Sequence, residues 1–375
     1  MHISSDLIIF WVVVVARFIV PLFIPRYPIP AIITALIIDA VDQTVFQQFT
    51  RLPLEGYQGY DKALDVYYLV IAYLSTMRNW EHPIAFKISR FLLYWRLVGV
   101  TAFELIHWRP LLILFPNTFE YFFIFYEAYR LRWDPRRMSK RFLVGAAAFI
   151  WIVIKLPQEW WIHIAQLDTT DFIKQTILGM PVDATLREIF SANPWLIPAI
   201  LLFLALLLLL LRWGIHRLPP ADWPLAFSAD AHQPAFTKAQ RVQAQKIIVE
   251  HVFDWTLFEK IVLISLISII FAQVLPDMHV GNAALVVGVM LVVVINTALS
   301  HWLSRRGHTW TSVLREFIVM AAVNFLIAWL YAFLLPRTDG SLNLVNILFF
   351  ALLLTVLVTL YDRYRIVYQM RFSSA

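Results

Sequence analysis

The chain of 375 residues contains no cysteine, which excludes disulfide bonds, thiolate metal sites, iron–sulfur clusters and cysteine nucleophiles. The sequence also lacks a Walker motif, a glycine-rich nucleotide loop, the histidine boxes of desaturases and a Ser/His/Asp pattern typical of hydrolases. No motif therefore assigns the chain to an enzyme class. No catalytic residue is predicted, and whether the protein is an enzyme stays open at this level.

Charged residues are scarce as well. They make up 15% of the chain, whereas hydrophobic residues make up 60%, and the mean hydropathy is +0.69. A soluble domain of this length would need more polar surface, so the composition predicts a polytopic membrane protein. Residues 1–6 lack the positive charge of a signal peptide, and the first apolar run is therefore predicted to be a retained helix.

Hydropathy predicts an all-α integral membrane protein with about eleven transmembrane helices, since about 20 residues cross the hydrocarbon core. The predicted spans are residues 7–24, 30–47, 62–78, 90–108, 111–129, 142–163, 196–212, 257–275, 282–302, 313–335 and 343–361. They divide the chain into a six-helix part (1–163), a loop (164–194) and a five-helix part (195–375). A second loop, residues 213–256, is predicted to end in an amphipathic helix over 238–255.

The loop charges predict that the N-terminus lies outside and the C-terminus inside. Lysine and arginine cluster in every second connection, above all at residues 130–141 and 212–246, whereas the other connections mostly carry one each. By this orientation loop 164–194 is extracytoplasmic and loop 213–256 is cytoplasmic. The net charge of +6 follows from these basic loops and does not indicate nucleic acid. The predicted location is the plasma (inner) membrane, with the lipid bilayer as partner.

Ionisable residues inside the predicted spans concentrate in residues 30–171 and, with this orientation, in the outer half of the membrane. A charge near the bilayer centre costs about 3 kcal/mol or more, so such residues usually face a polar interior and serve a function. The residues predicted to bind an ion or a substrate are Asp39, Asp42, Asp65, Glu104, Glu120 and Glu159. Pro116 and Pro157 are predicted to kink two helices beside these acids, and we expect both kinks to line one shared cavity.

Two of the acids have a histidine on the same helix face. Glu104 precedes His107 by three residues and Glu159 precedes His163 by four, spacings found in metal-binding helix bundles. Together with the aspartates, these side chains could ligate a divalent metal such as Zn, Mn, Mg or Fe. Alternatively, both histidines are interfacial residues that hydrogen-bond water or a neighbour.

The basic residues in the spans are predicted to be counter-ions. Lys155 is expected to pair with Glu159 or Asp42, and Arg17 is a similar cation in the first helix. Glu127 is expected either to pair with a neighbouring arginine at the surface or to extend a ladder of acids across the membrane.

The acids in the spans outnumber the bases, which favours a bound cation, a proton or water near them. The leading hypothesis is therefore movement of a proton, a cation or a cation-coupled solute through an acid-lined, outward-facing cavity. One alternative is a membrane-embedded enzyme, with or without a metal, that acts on a lipid or lipid-linked substrate from the outer leaflet. Another is a structural or assembly subunit whose charges are simply paired. The sequence is compatible with a monomer or a homo-oligomer.

Overall fold

The computed structural model describes residues 5–50, 55–167, 169–232, 255–274, 282–304, 310–334 and 344–372. The fold is all-helical, with 85% of residues in helices and no strand among the residues described. The amphipathic helix predicted over 238–255 lies almost entirely outside these residues.

The helices follow one another with short connections in the first half of the chain. In order they are α1 (Ser5–Ile19), α2 (Pro28–Phe49), α3 (Glu55–Asn79), α4 (Pro83–Ile106), α5 (Pro110–Leu114), α6 (Thr118–Arg130), α7 (Lys140–Phe149), α8 (Leu156–Glu159), α9 (Thr169–Phe172), α10 (Leu186–Ala192), α11 (Leu196–Arg217), α12 (Trp255–Val274), α13 (Asn282–Ser304), α14 (Trp310–Leu334) and α15 (Leu344–Phe372).

Within the residues that the structure describes, six helical segments are long and apolar enough to cross a membrane. They are Asp6–Phe23, Pro28–Phe49, Lys140–Ile164, Leu196–Arg217, Trp255–Val274 and Leu344–Phe372. Each coincides with one of the eleven predicted spans. The other five predicted spans fall on α3 and α4, which carry several charges, on the broken pair α5–α6, and on α13 and α14, where the apolar stretches found are shorter.

Helix α3 is the centre of the bundle. It contacts α1, α2, α4, α6, α12 and α15. Over residues 63–77 every side chain except that of Asp65 is buried. Its polar residues therefore face other helices. This explains why hydropathy predicts only part of α3 as a membrane-spanning segment. The helix begins at Glu55, not at residue 62 as predicted.

Several helix ends meet at one end of the bundle. Arg371, near the end of α15, donates to the backbone carbonyls of Trp80 and Arg78 at 2.7 and 2.9 Å. Arg78 in turn pairs with Asp230, which also lies 3.5 Å from Arg26 in the connection between α1 and α2. Hydrogen bonds and ion pairs thus hold together the ends of α3 and α15, the connection between α1 and α2, and the connection after α11.

The loop that follows α6 joins the same end, where Arg137 pairs with Asp222 in the loop that follows α11 at 2.7 Å. At the opposite end, Tyr60 near the start of α3 hydrogen-bonds Asn346 near the start of α15. Helices α3 and α15 therefore run parallel along their shared length, with both starts at one end of the bundle and both ends at the other.

The two prolines act differently. Pro116 lies in a complete break between α5 and α6, because Phe115 leaves the helical conformation (φ −117°, ψ 62°) and α6 starts only at Thr118. The predicted kink at this position is thus a break. Pro157 lies at the start of α8, inside a segment that is helical from Lys140 to Ile164. Wider π-helical turns flank it on both sides and accommodate the amide that proline lacks.

Candidate functional site

The structure gathers four aspartates around the buried guanidinium of Arg17. Asp39 and Asp42 come from α2, Asp61 and Asp65 come from α3, and each of the four pairs with Arg17. Residues three or four apart share a helix face, so two neighbouring helices each present two acids to the same point. We call these four residues the aspartate cluster.

Asp42 lies on the side of the cluster that is closed to solvent. Its side chain is only 1% exposed, and one of its oxygens accepts hydrogen bonds from Arg17 and from the Tyr57 hydroxyl, the latter at 2.5 Å. Arg17 also donates to the Tyr57 oxygen at 2.8 Å. The backbone amide of Gln43 donates to the other oxygen of Asp42 at 2.5 Å. Asp42 is therefore fully engaged by protein groups.

The other three aspartates form the open side. The side chains of Asp39, Asp61 and Asp65 are 32%, 21% and 43% exposed. One oxygen from each of these three carboxylates lies within 4.8 Å of the others, a spacing that one metal ion can bridge. Among the residues that the structure describes, no other group of three acids or histidines has this geometry, and neither His107 nor His163 belongs to one.

The charges of the cluster do not balance. Four carboxylates surround one guanidinium, so three negative charges are left over when all groups are ionised. Lys62, next to Asp61 in the sequence, does not offset them because it binds Glu104 on α4 at 3.1 Å. Unbalanced charge removed from water is costly, so the arrangement favours protons or a cation beside the open side.

Glu104 and His107 are not brought together. Glu104 is buried and accepts its hydrogen bond from Lys62, which is half exposed and also lies 5.7 Å from the centre of the Phe103 ring. His107 is exposed and ends α4 in a left-handed backbone conformation (φ 57°).

Glu120 and Glu159 meet at the break between α5 and α6. The backbone amide of Asn117 donates to Glu159 at 3.1 Å, and its side-chain amide donates to Glu120 at 2.6 Å. Glu120 also accepts from the Tyr68 hydroxyl at 2.7 Å, and Glu159 lies 3.0 Å from His163. The helix break thus supplies the donors that hold two buried acids in place.

Lys155 is buried near this break. It donates to Gln158 at 3.0 Å, lies 4.4 Å from the centre of the Tyr121 ring, and interacts electrostatically with both glutamates. Of its two predicted partners, Asp42 is bound to Arg17 instead.

Glu127 forms a separate, closed ion pair. Its carboxylate accepts from Arg130 at 2.9 and 3.0 Å and from the Trp80 indole at 2.7 Å. The predicted pairing with an arginine is confirmed, but the pair is buried, not at the surface.

The six predicted acids therefore fall into three groups, which successive turns of α3 connect. Lys62 binds Glu104, Asp65 belongs to the aspartate cluster, and Tyr68 binds Glu120. The spacing of three residues places these α3 side chains on neighbouring turns of one helix.

Three members of the site were missed as site residues. The sequence predicts Arg17 only as a counter-ion, and the predicted site does not include Tyr57 or Asp61. The signal for the last two is present in the sequence, because Tyr57, Asp61 and Asp65 are spaced by four residues and lie along one face of α3. Arg17 has no comparable local signal, since a single arginine in an apolar helix does not identify its partners.

The chemistry available to the aspartate cluster is that of oxygen ligands and proton exchange. Carboxylate oxygens are the ligands preferred by Mg²⁺, Ca²⁺ and Mn²⁺, and they also accept protons.

The sequence matches no protein-family model, and neither a curated protein nor a solved structure is significantly similar to it.

Proposed function

We propose that the protein is a multi-pass plasma-membrane protein that moves a proton, a cation or a cation-coupled solute, with the aspartate cluster as its binding site. The observation that carries this proposal is the convergence of four carboxylates from two helices on the single guanidinium of Arg17.

The position of the cluster along its helices supports the proposal. Asp39 is the twelfth of 22 residues in α2, and Asp65 is the eleventh of 25 in α3. At about 1.5 Å per residue, both lie near the middle of a helix long enough to cross the hydrocarbon core. A net negative group at that depth is stabilised most by an exchangeable cation or by protons.

The buried side and the open side of the cluster have different roles in this proposal. Asp42 and Tyr57 hold Arg17 from the buried side, while the three partly exposed aspartates offer oxygens to an incoming cation. Arg17 donates to those same aspartates, so a cation on the open side competes with it. Binding and release of the cation are then coupled to the contacts between α1 and the pair α2–α3.

The topology that belongs to this proposal has eleven spans, with the N-terminus outside and the C-terminus inside. Two features support it. Helices α3, α4, α13 and α14 contain 25, 24, 23 and 25 residues and are long enough to cross. In addition, the ends gathered around Arg78, Asp230 and Arg371 are those that eleven alternating spans place on one face.

Single cysteines introduced into this cysteine-free chain test that topology. Asp183→Cys and Ala231→Cys are both exposed positions, the first between α9 and α10 and the second after α11. In intact cells, a membrane-impermeant maleimide should label residue 183 and should label residue 231 only after permeabilisation. Labelling of both from the same face would contradict the eleven-span topology.

Neutralising the open side tests the function. In vesicles that contain the purified protein and a fluorescent dye selective for the ion tested, we expect a flux driven by a gradient of H⁺, Na⁺, K⁺, Mg²⁺ or Mn²⁺. Asp61→Asn and Asp65→Asn should each lower that flux by about tenfold, which corresponds to losing roughly 1.4 kcal/mol of cation binding. The thermal stabilisation that the transported cation gives the purified protein should fall in parallel.

The matched control is Asp183→Asn, which removes a carboxylate from an exposed loop residue far along the chain from the cluster. It should leave flux and cation-dependent stabilisation unchanged. If none of these ions moves, and none stabilises the unmodified protein, the proposed function is wrong.

A structural role is the second candidate, and one observation favours it: every aspartate of the cluster already pairs with Arg17. In that case the asparagine variants change stability without changing any flux, so the same measurements separate the two functions.

A further inference from the structure

An open apolar groove lies at the end of the bundle opposite to Tyr60 and Asn346. It runs between the last turns of α6, the loop that follows α6, and the end of α11 with its following loop. Its volume is about 620 Å³, and its walls include Phe125, Leu131, Ile215, Leu218 and Leu225. No residue of α11 is buried, and the helix is apolar from Leu196 to Leu211 before its basic last turns, so the groove opens beside a surface suited to lipid.

The rim of the groove is aromatic and basic. Three arginines near it each lie over a tryptophan ring, at 5.6, 5.2 and 4.5 Å from the ring centre: Arg132 over Trp133, Arg136 over Trp223 and Arg217 over Trp213. Tryptophan is enriched where a membrane meets water, and basic residues at that level attract anionic lipid head groups. The apolar walls and the basic rim therefore match the two ends of one phospholipid.

Arg132 is a rim residue whose charge no carboxylate of the described residues neutralises. It lines the groove and donates to the carbonyl of Pro219 at 3.3 and 3.4 Å. Its neighbours Arg136 and Arg137 pair with aspartates, whereas no carboxylate of the described chain lies within ion-pair distance of Arg132. Trp133, also in the wall, has a buried indole N–H with no hydrogen-bond partner among the described residues. A phosphate or ester oxygen would supply the missing acceptor.

We propose that this groove binds one anionic phospholipid of the adjoining leaflet, with an acyl chain along the apolar walls and the phosphate beside Arg132. The site is separate from the aspartate cluster and does not depend on the function proposed for it. It depends only on the helices of the protein lying in a bilayer.

Native mass spectrometry of the delipidated, detergent-solubilised full chain tests the proposal. Dioleoyl phosphatidylglycerol should bind about fivefold more tightly than dioleoyl phosphatidylcholine, the preference expected when one cation lies near a head group of net negative charge instead of a zwitterionic one. Arg132→Gln should abolish this preference, and Arg132→Lys should retain it. Ala128→Phe, at an exposed position in the groove wall, should reduce binding of both lipids.

The matched control is Arg187→Gln, which removes one positive charge from the exposed surface of α10 and should keep the preference. Equal affinity for the two lipids, or a preference that survives in Arg132→Gln, would overturn the proposal. Competition by glycerol 3-phosphate at the same concentration would identify a free-phosphate site instead. A change of oligomeric state in Ala128→Phe with lipid binding intact would identify the groove as a contact between two copies of the chain.

Discussion

Replacement of Arg17 by methionine is expected to destabilise the protein by about 3–5 kcal/mol, the usual result of removing one partner from a buried ion pair. The side chain of Arg17 is 3% exposed, and its loss leaves four carboxylates without the cation that they share. Methionine keeps a similar length and apolar volume, so the change isolates the charge. The measurement is unfolding of the purified protein in detergent by heat or denaturant, followed by tryptophan fluorescence.

Arg96→Met is the matched control. Arg96 lies partly buried in α4 and donates to the carbonyl of Phe115 at 3.0 Å, so its loss should cost about 1.5–3 kcal/mol, as for one hydrogen bond made by a charged group. Adding Asp42→Asn to Arg17→Met should restore part of the lost stability, because it removes one of the stranded charges. Equal stability of Arg17→Met and Arg96→Met would show that Arg17 does not hold the cluster together.

The sequence was sufficient to predict an all-helical chain with apolar helices. An apolar run of about 20 residues forms few structures other than a membrane-spanning helix. The central helix was the least well predicted. A helix surrounded by other helices can carry Asp65, Tyr68 and Tyr73 in contact with polar partners, and its mean hydropathy then falls below that of a lipid-facing helix. Conversely α11, which has the highest hydropathy of the six candidate spans, has no residue buried by the part of the chain that the structure describes.

The sequence predicts three of the four aspartates of the cluster, Asp39, Asp42 and Asp65, but neither Asp61 nor the way in which the acids group. Spacing along one helix places Asp39 and Asp42 on one face, but it does not say which neighbouring helix that face meets. Distances between helices decide that Asp42 binds Arg17 and not Lys155. The role of Asn117 was not predictable from the sequence for a similar reason. Its amides reach Glu120 and Glu159 only because the helix is interrupted beside it.

Gly99→Ala is expected to destabilise the protein by about 1–3 kcal/mol through overpacking, and to disturb that break. A Cβ atom at residue 99 would overlap the Cβ and Cγ atoms of Phe115, which lies directly before the break. Because the nearest overlapping atom is a Cβ, no side-chain rotation relieves the contact, and the backbone at residues 115–117 must shift. The amide of Asn117 then moves relative to Glu159, so a lower unfolding midpoint should be accompanied by altered fluorescence of the neighbouring tryptophans, such as Trp95.

Gly145→Ala provides the comparison, because it makes the same chemical change in a helix where an added Cβ meets no atom within 4 Å. It should stabilise the protein by about 0.5–1 kcal/mol, since alanine favours the helix over glycine. A double-variant test locates the cause: Phe115→Gly removes the overlapping Cβ, so Gly99→Ala should cost little in that background, whereas Phe115→Ala keeps the Cβ and should not rescue it. If Gly99→Ala proves as harmless as Gly145→Ala, helix α4 and the break are not in close contact, and the break cannot hold Glu120 and Glu159 as described.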